Sequence, residues 1–246
     1  MTLAVFGMAL SCSALAAADV LIVADEVPAM EVLAGKLKAA AGVQSTIVQQ
    51  TAMPADLSKY SALVVYIHRT IGEPAEKAFI NYAESGGRLV LLHHSISSGK
   101  RANNYWFPFL KISLPAGSLE QGGYKYFDPA VMEIVNLAPR EFITTHKVAY
   151  DRKVSYRDQG ELPGFRLEDT EVYLNHVLTA PRTVLLGLKF TDPKSGQTYM
   201  QDRAGWYMKT GQGWVMYFMA GHGAREFEHP AYAQILVNAI ASGPKP

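Results

Sequence analysis

Three short segments of the chain, Asp19–Ala24, Ala62–Ile67 and Arg88–His93, each carry an apolar run with no polar residue inside it. A strand with one wet face alternates apolar and polar residues, whereas a continuous run belongs to a strand covered on both sides. Ser45–Val48 is a fourth, β-branched candidate. Between the runs the period changes from two to that of a helix. Met30, Val32, Leu33, Leu37 and Ala41 fall on one face of a predicted helix over Pro28–Ala41, stopped by Gly42. Glu73–Ser85 reads the same way and stops at Gly86-Gly87. Strands separated by helices pair in parallel, because the helix returns the chain to the same end of the sheet. The expected fold is therefore α/β, a doubly wound and mostly parallel sheet. Such sheets bind ligands beyond the carboxyl ends of their strands. His68-Arg69 and His93-His94-Ser95 fall there.

From Ser97 to about Glu171 this pattern is lost. The segment is rich in Gly, Pro and Tyr, as in Asn103-Asn104-Tyr105-Trp106 and Gly122-Gly123-Tyr124, and reads as a long inserted loop region over the site. Strand patterns return at Thr183–Lys189, Thr198–Tyr207 and Trp214–Ala220, with a hairpin turn at Thr191–Gly196. A helix over Pro230–Ile240 closes the chain. No repeat and no second core is evident, so 19–246 is expected to form one domain.

Composition narrows the partners. Lys+Arg 23 against Asp+Glu 22 leaves a net charge of +1 with no long basic run, which argues against nucleic acid or an anionic membrane as partner. The single cysteine, Cys12, excludes a disulfide framework, a cysteine-ligated zinc site and paired thiol chemistry. It lies within residues 1–18, an apolar stretch followed by small residues, with Ala14-Leu15-Ala16 and Ala16-Ala17-Ala18 as cleavage signals. Residues 1–18 are expected to be a signal peptide. The mature chain, free of cysteine and of any membrane span, would then be periplasmic or secreted.

Three blocks carry a family resemblance: Gly86-Gly87-Arg88-Leu89-Val90-Leu91-Leu92-His93-His94-Ser95; Leu162-Pro163-Gly164-Phe165 through Glu171-Val172-Tyr173; and Ala204-Gly205-Trp206 with Gly213 to His222. In this order and spacing the chain resembles the ThuA-like (trehalose-utilisation) family. That resemblance implies a flavodoxin-like, class I glutamine amidotransferase-like fold and a small-molecule carbohydrate partner. Thr170 and Trp214 depart from the family pattern, where Asp and Arg are usual. An amidotransferase needs a thiolate on the turn after the fourth strand; here that turn carries His94-Ser95.

The residues themselves leave several roles open. His94, at a strand end, suits a general base, a metal ligand or a donor to a sugar hydroxyl. His93 would alternate to the opposite face and be structural. His222 lies between Gly221 and Gly223, which permit close approach of a ligand. Glu171 with His94 and His222 would form an acid–base group or a His/His/Glu site for a divalent metal. Trp106, Tyr173 and Trp206 are candidate stacking platforms for a sugar ring, and His146 resembles the His opening a family block. Two functions follow. One is an enzyme acting on a 3-keto glycoside or related sugar, as a lyase, isomerase or hydrolase. The other, which the departures at Thr170 and Trp214 favour, is a non-catalytic sugar-binding or scaffold module.

Overall fold

The computed structural model describes residues 20–245. Twelve strands are present among them: β1 Val20–Ala24, β2 Ser45–Val48, β3 Ala62–Tyr66, β4 Arg88–Leu92, β5 Ile112–Ser113, β6 Lys125–Asn136, β7 Arg152–Ser155, β8 Glu161–Leu174, β9 Val177–Leu178, β10 Thr183–Thr191, β11 Thr198–Thr210 and β12 Gly213–Phe218. Five α-helices accompany them: α1 Val27–Ala41, α2 Glu73–Glu84, α3 Trp106–Leu110, α4 Phe142–Thr145 and α5 Pro230–Ala241. Ten of the strands form one sheet in the order β2-β1-β3-β4-β12-β11-β10-β6-β8-β7, while β5 and β9 pair separately.

One half of this sheet is parallel. β1 runs with β2 and β3, β3 with β4, and β4 with β12. Every residue of β1 and β3 is buried, as their continuous apolar runs require. The helices α1, α2 and α5 each carry proline in the first turn, where a missing N–H costs nothing. Gly42 ends α1 in the left-handed conformation (φ 67°) and closes it by donating to the Lys38 carbonyl. The helix α5 packs against α1 and over β3 and β4, and α2 packs over β4 and β12. No helix among the described residues is long and apolar enough to cross a membrane.

The other half corrects the expectation of a mostly parallel sheet with a long inserted loop. From β12 outward every pair is antiparallel, β12 with β11, β11 with β10, β10 with β6, β6 with β8 and β8 with β7, so the sheet is mixed. Much of the segment read as an insertion is β6, β7 and β8. These strands were hidden because turn-forming residues lie inside them. Pro129 sits in β6 beside a shift of register, and Pro163-Gly164 sits in β8. The Asp192–Gly196 turn joins β10 to β11 as a hairpin, closed by Gly196 N–H on the Asp192 carbonyl at 2.8 Å.

Candidate metal centre

The site is built at the carboxyl end of β4. The strand ends at Leu92, and His93 leaves it with φ at 37°, a left-handed backbone that is uncommon outside glycine. A single 3₁₀ turn over His93–Ile96 follows. The expected alternation of His93 to the opposite face therefore does not occur. Alternation requires extended backbone, and the turn swings both imidazoles into one cluster, with ring centres 4.3 Å apart. Ser95 is fully buried and donates through Oγ to the Val65 carbonyl at 3.2 Å. It presents no nucleophile.

Glu171 comes from β8, where Tyr173, two residues on, shares its face. The Tyr173 hydroxyl donates to Glu171 Oε2 at 2.7 Å, and its ring stacks on His93 at 5.0 Å. His222 comes from the loop after β12, and side chains hold that loop at four backbone groups in succession. Tyr232 donates to the Ala220 carbonyl at 2.6 Å and Tyr66 to the His222 carbonyl at 3.1 Å. The Glu226 carboxylate accepts from Gly221 N–H at 2.8 Å and Gly223 N–H at 3.2 Å. Gly221 has φ at 114°, and a Cβ there would lie 2.7 Å from the Phe227 ring, so glycine is required.

These elements bring His93, His94, Glu171 and His222 together, with one ligand atom from each within 4.8 Å of all the others. Glu171 Oε2 is 2.9 Å from His93 Nε2, 3.4 Å from His222 Nδ1 and 3.6 Å from His94 Nε2. His222 Nδ1 is 3.2 Å from His93 Nε2. Metal–ligand bonds of about 2.0–2.1 Å place tetrahedral ligand atoms about 3.3 Å apart, and the four separations above, from 2.9 to 3.6 Å, bracket that value. The protons agree. His93 Nδ1 lies 2.5 Å from the Met219 carbonyl. A carbonyl only accepts, so Nδ1 carries the hydrogen and Nε2 is the atom turned to Glu171 Oε2 and His222 Nδ1. Unprotonated, Nε2 would be a ligand atom for a cation held beside the carboxylate.

Electrostatics sort the four groups. Burial pushes the Glu171 carboxyl up, but hydrogen bonds from His222, His93 and Tyr173 outweigh this and hold it well below the carboxylate range. His94 is driven far down, first by burial and then by the charges of His93 and His68, so it is neutral. Its Nδ1 is buried without a partner among the described residues. His222 is raised, chiefly by its hydrogen bond with Glu171. With its side chain 30% exposed, it is the most open of the four.

The expected stacking platforms lie elsewhere. Trp106 is fully buried, donates to the Ser95 carbonyl at 2.7 Å and packs edge-on to Phe79. Trp206 is fully buried between Arg182 and Tyr217. Neither has an open face for a sugar; a tryptophan that fills the core of a mixed sheet cannot also line its crevice. Tyr173 belongs to the site, as a donor to Glu171 rather than as a platform. His146 is exposed after α4 and stacks on Phe142, outside the cluster. His93, Tyr66 and Glu226 were missed. Only the His93-His94 doublet at a strand end hinted at the first; Tyr66 and Glu226 act through backbone contacts that carry no motif.

Substitution of Glu226 by Ala is expected to release the Gly221 and Gly223 amides. Their hydrogen exchange should accelerate as the loop that presents His222 opens locally. Wild-type exchange at both amides in a folded variant would show that the carboxylate does not hold the loop.

Comparisons with known proteins agree with this fold. No curated protein sequence matches the chain at a significant level. Among solved structures, a ThuA-like protein from Bacteroides uniformis is similar with a TM-score of 0.62 and 18% identity, covering 94% of each chain. A second, from Parabacteroides merdae, has a TM-score of 0.60 and 14% identity over 93% of this chain and 91% of that one. The chain also superposes on part of a carbohydrate deacetylase (TM-score 0.51, 12% identity, 89% of this chain and 32% of that one). The sequence profile of the ThuA family, described as trehalose utilisation, matches residues 19–241, and the chain belongs to that family.

Proposed function

We propose that the protein is a metal-dependent enzyme acting on a carbohydrate, an oxidised (3-keto) glycoside or related sugar, at the His93–His94–Glu171–His222 cluster. One observation supports the metal: His93 Nε2, aimed by the Nδ1 bond to Met219, and His94 Nε2 converge on Glu171 Oε2 at 2.9 and 3.6 Å. The family's description as trehalose utilisation supports the substrate class. A divalent ion held by His93, His94 and Glu171 would polarise a ketone or water oxygen as a Lewis acid.

The chain's own groups divide the proton chemistry. Glu171 stays ionised and His94 neutral, forms in which both have lone pairs for a metal. His222 has a raised pKa and reaches the open side. With His93, His94 and Glu171 as the metal-holding set, His222, once deprotonated, is the group that takes the proton from the carbon between the ketone and the glycosidic carbon. The electron pair left behind forms a C=C bond as the glycosidic C–O bond breaks. The departing oxygen then takes up the proton from His222, so protons and electrons balance. Incubation of purified protein with a 3-keto glycoside should release the alcohol, stop with chelator and resume with zinc, cobalt or manganese. Absence of turnover with every metal would leave the non-catalytic sugar-binding module as the better reading.

Turnover should also follow pH. The raised pKa of His222 keeps its proton on to higher pH than in a free imidazole, and only the unprotonated ring can take a proton from carbon. With metal saturating, kcat/KM should therefore still be rising at about pH 6.5, the midpoint of a free imidazole, and level off only above it. Rates across this range check this; a flat profile would exclude His222 as the base.

We also infer export. The signal-peptide expectation concerns residues 1–18, which lie outside the described residues. Protein recovered from its host should begin at Ala17 or Asp19 and lie outside the cytoplasm. Intact Met1 on cytoplasmic protein would overturn this.

A further inference from the structure

Beside the cluster lies a second feature with its own construction. A cleft of about 430 Å³ opens beyond the ends of β1 and β3, lined by Asp25, Glu26, His68, Arg69, Thr70 and Gly99. Its volume is within the range of small-molecule pockets, about 300–1,000 Å³. It adjoins the metal centre directly, because the His68 ring lies parallel to His94 (8°) with centres 4.0 Å apart.

The wall of this cleft is held from both sides. Asp25 accepts from His68 N–H through Oδ1 (2.8 Å) and from Arg69 N–H through Oδ2 (2.9 Å). Behind the wall, Lys100 is 0% exposed and donates all three ammonium hydrogens to the carbonyls of Ile67 (3.0 Å), His68 (3.0 Å) and Arg69 (2.8 Å). Gln50 Nε2 donates to the Thr70 carbonyl at 3.1 Å. A surface loop ordinarily leaves such groups to water. Burying an ammonium with no carboxylate in contact is costly, and here the result is a rigid backbone that presents Arg69 and Thr70 to solvent, while His68 Nδ1 meets Glu26 Oε1 at 3.1 Å. His68, Arg69 and Thr70 are exposed, and the Arg69 guanidinium has no side-chain or carbonyl partner among the described residues. Such rigidity preorganises a binding surface.

We propose that this cleft is the recognition subsite for the hydroxyl-bearing part of the substrate that does not react, with Arg69 and Thr70 as its specificity residues and Asp25 and Lys100 as positioning residues. This rests on the sugar-acting reading above. The chemistry of the wall selects the class. Arg69 donates, Thr70 donates and accepts, and Glu26, met by His68 at Oε1, has lone pairs left to accept, which suits vicinal hydroxyls. The carboxylates of Asp25 and Glu26 disfavour a phosphate.

The test compares trehalose with glucose by titration calorimetry, using wild type, Arg69→Ala and the Arg69→Ala/Thr70→Ala double variant. These side chains are exposed, so folding should be retained. Wild type should bind trehalose more tightly than glucose. The double variant should lose about tenfold or more on trehalose, the value of a hydrogen bond from a charged group, while glucose binding stays unchanged. Trehalose binding no tighter than glucose in wild type, or a margin that survives the double variant, would overturn the subsite. The cobalt absorption spectrum of each variant separates the two readings. Failure of wild type to bind cobalt at the cluster would remove the metal-dependent enzyme, while the sugar margin would still decide the subsite.

Discussion

Replacing Glu171 by Gln is expected to lower kcat on a keto-glycoside by about 10²–10⁴-fold, the contribution of a positioned acid–base or charged group. The substitution keeps the shape and leaves a carbonyl to accept from Tyr173. It removes the charge toward which His93, His94 and His222 converge. Metal affinity should fall by more than the about 10–100-fold expected of a merely supporting residue. Steady-state kinetics and metal content on the same preparation measure both, with thermal melting to confirm folding. A folded Gln variant with near-full turnover and full metal content would show that Glu171 is not part of the reacting centre.

Removal of His93 should have the largest effect on the protein as a whole. Its ring is fully buried between the Met219 carbonyl and Glu171. His93→Ala leaves a buried carboxylate short of a partner, which costs about 3–5 kcal/mol. The alanine must also adopt φ 37°, a conformation asparagine tolerates better. His93→Asn should therefore recover about 1 kcal/mol of the loss without restoring metal binding. Metal at about one hundred times its Kd stabilises a folded site by about 2.7 kcal/mol. For a chain of this size that is about 2–4 °C of Tm per kcal/mol. Wild type should show this rise on adding cobalt or zinc, and His93→Asn should not. A metal-induced rise of wild-type size in His93→Asn would exclude His93 as a ligand.

Both effects depend on groups far apart in the chain. His93 and Glu171 are separated by 78 residues, and His93 and His222 by 129. The local signals in the sequence were nevertheless informative. His94 and His222 stand out as chemistry-bearing residues at the ends of apolar runs and Glu171 where the irregular segment ends, and the structure brings those three together with His93. What sequence spacing could not show was which way a ring turns once a strand ends. His93 was assigned to the far face because extended backbone alternates, and one left-handed residue reversed that.

By itself the sequence determined the parallel half of the sheet and the helices α1, α2 and α5, because continuous apolar runs and a helical period are local properties that survive in any surroundings. It also determined the β10–β11 hairpin through its turn chemistry. Only the tertiary structure decided the rest. β6 and β8 carry prolines and a glycine inside strands, so pairing with long-range neighbours, not propensity, makes them extended. Trp106 and Trp206 are as suitable for a sugar as for a core, and packing placed both inside. The loops that present His68 and His222 are shaped by Asp25, Lys100, Tyr66 and Glu226, which act on backbone groups. Backbone groups are the same at every residue, so nothing in the order of side chains announces which of them a distant carboxylate or ammonium will hold.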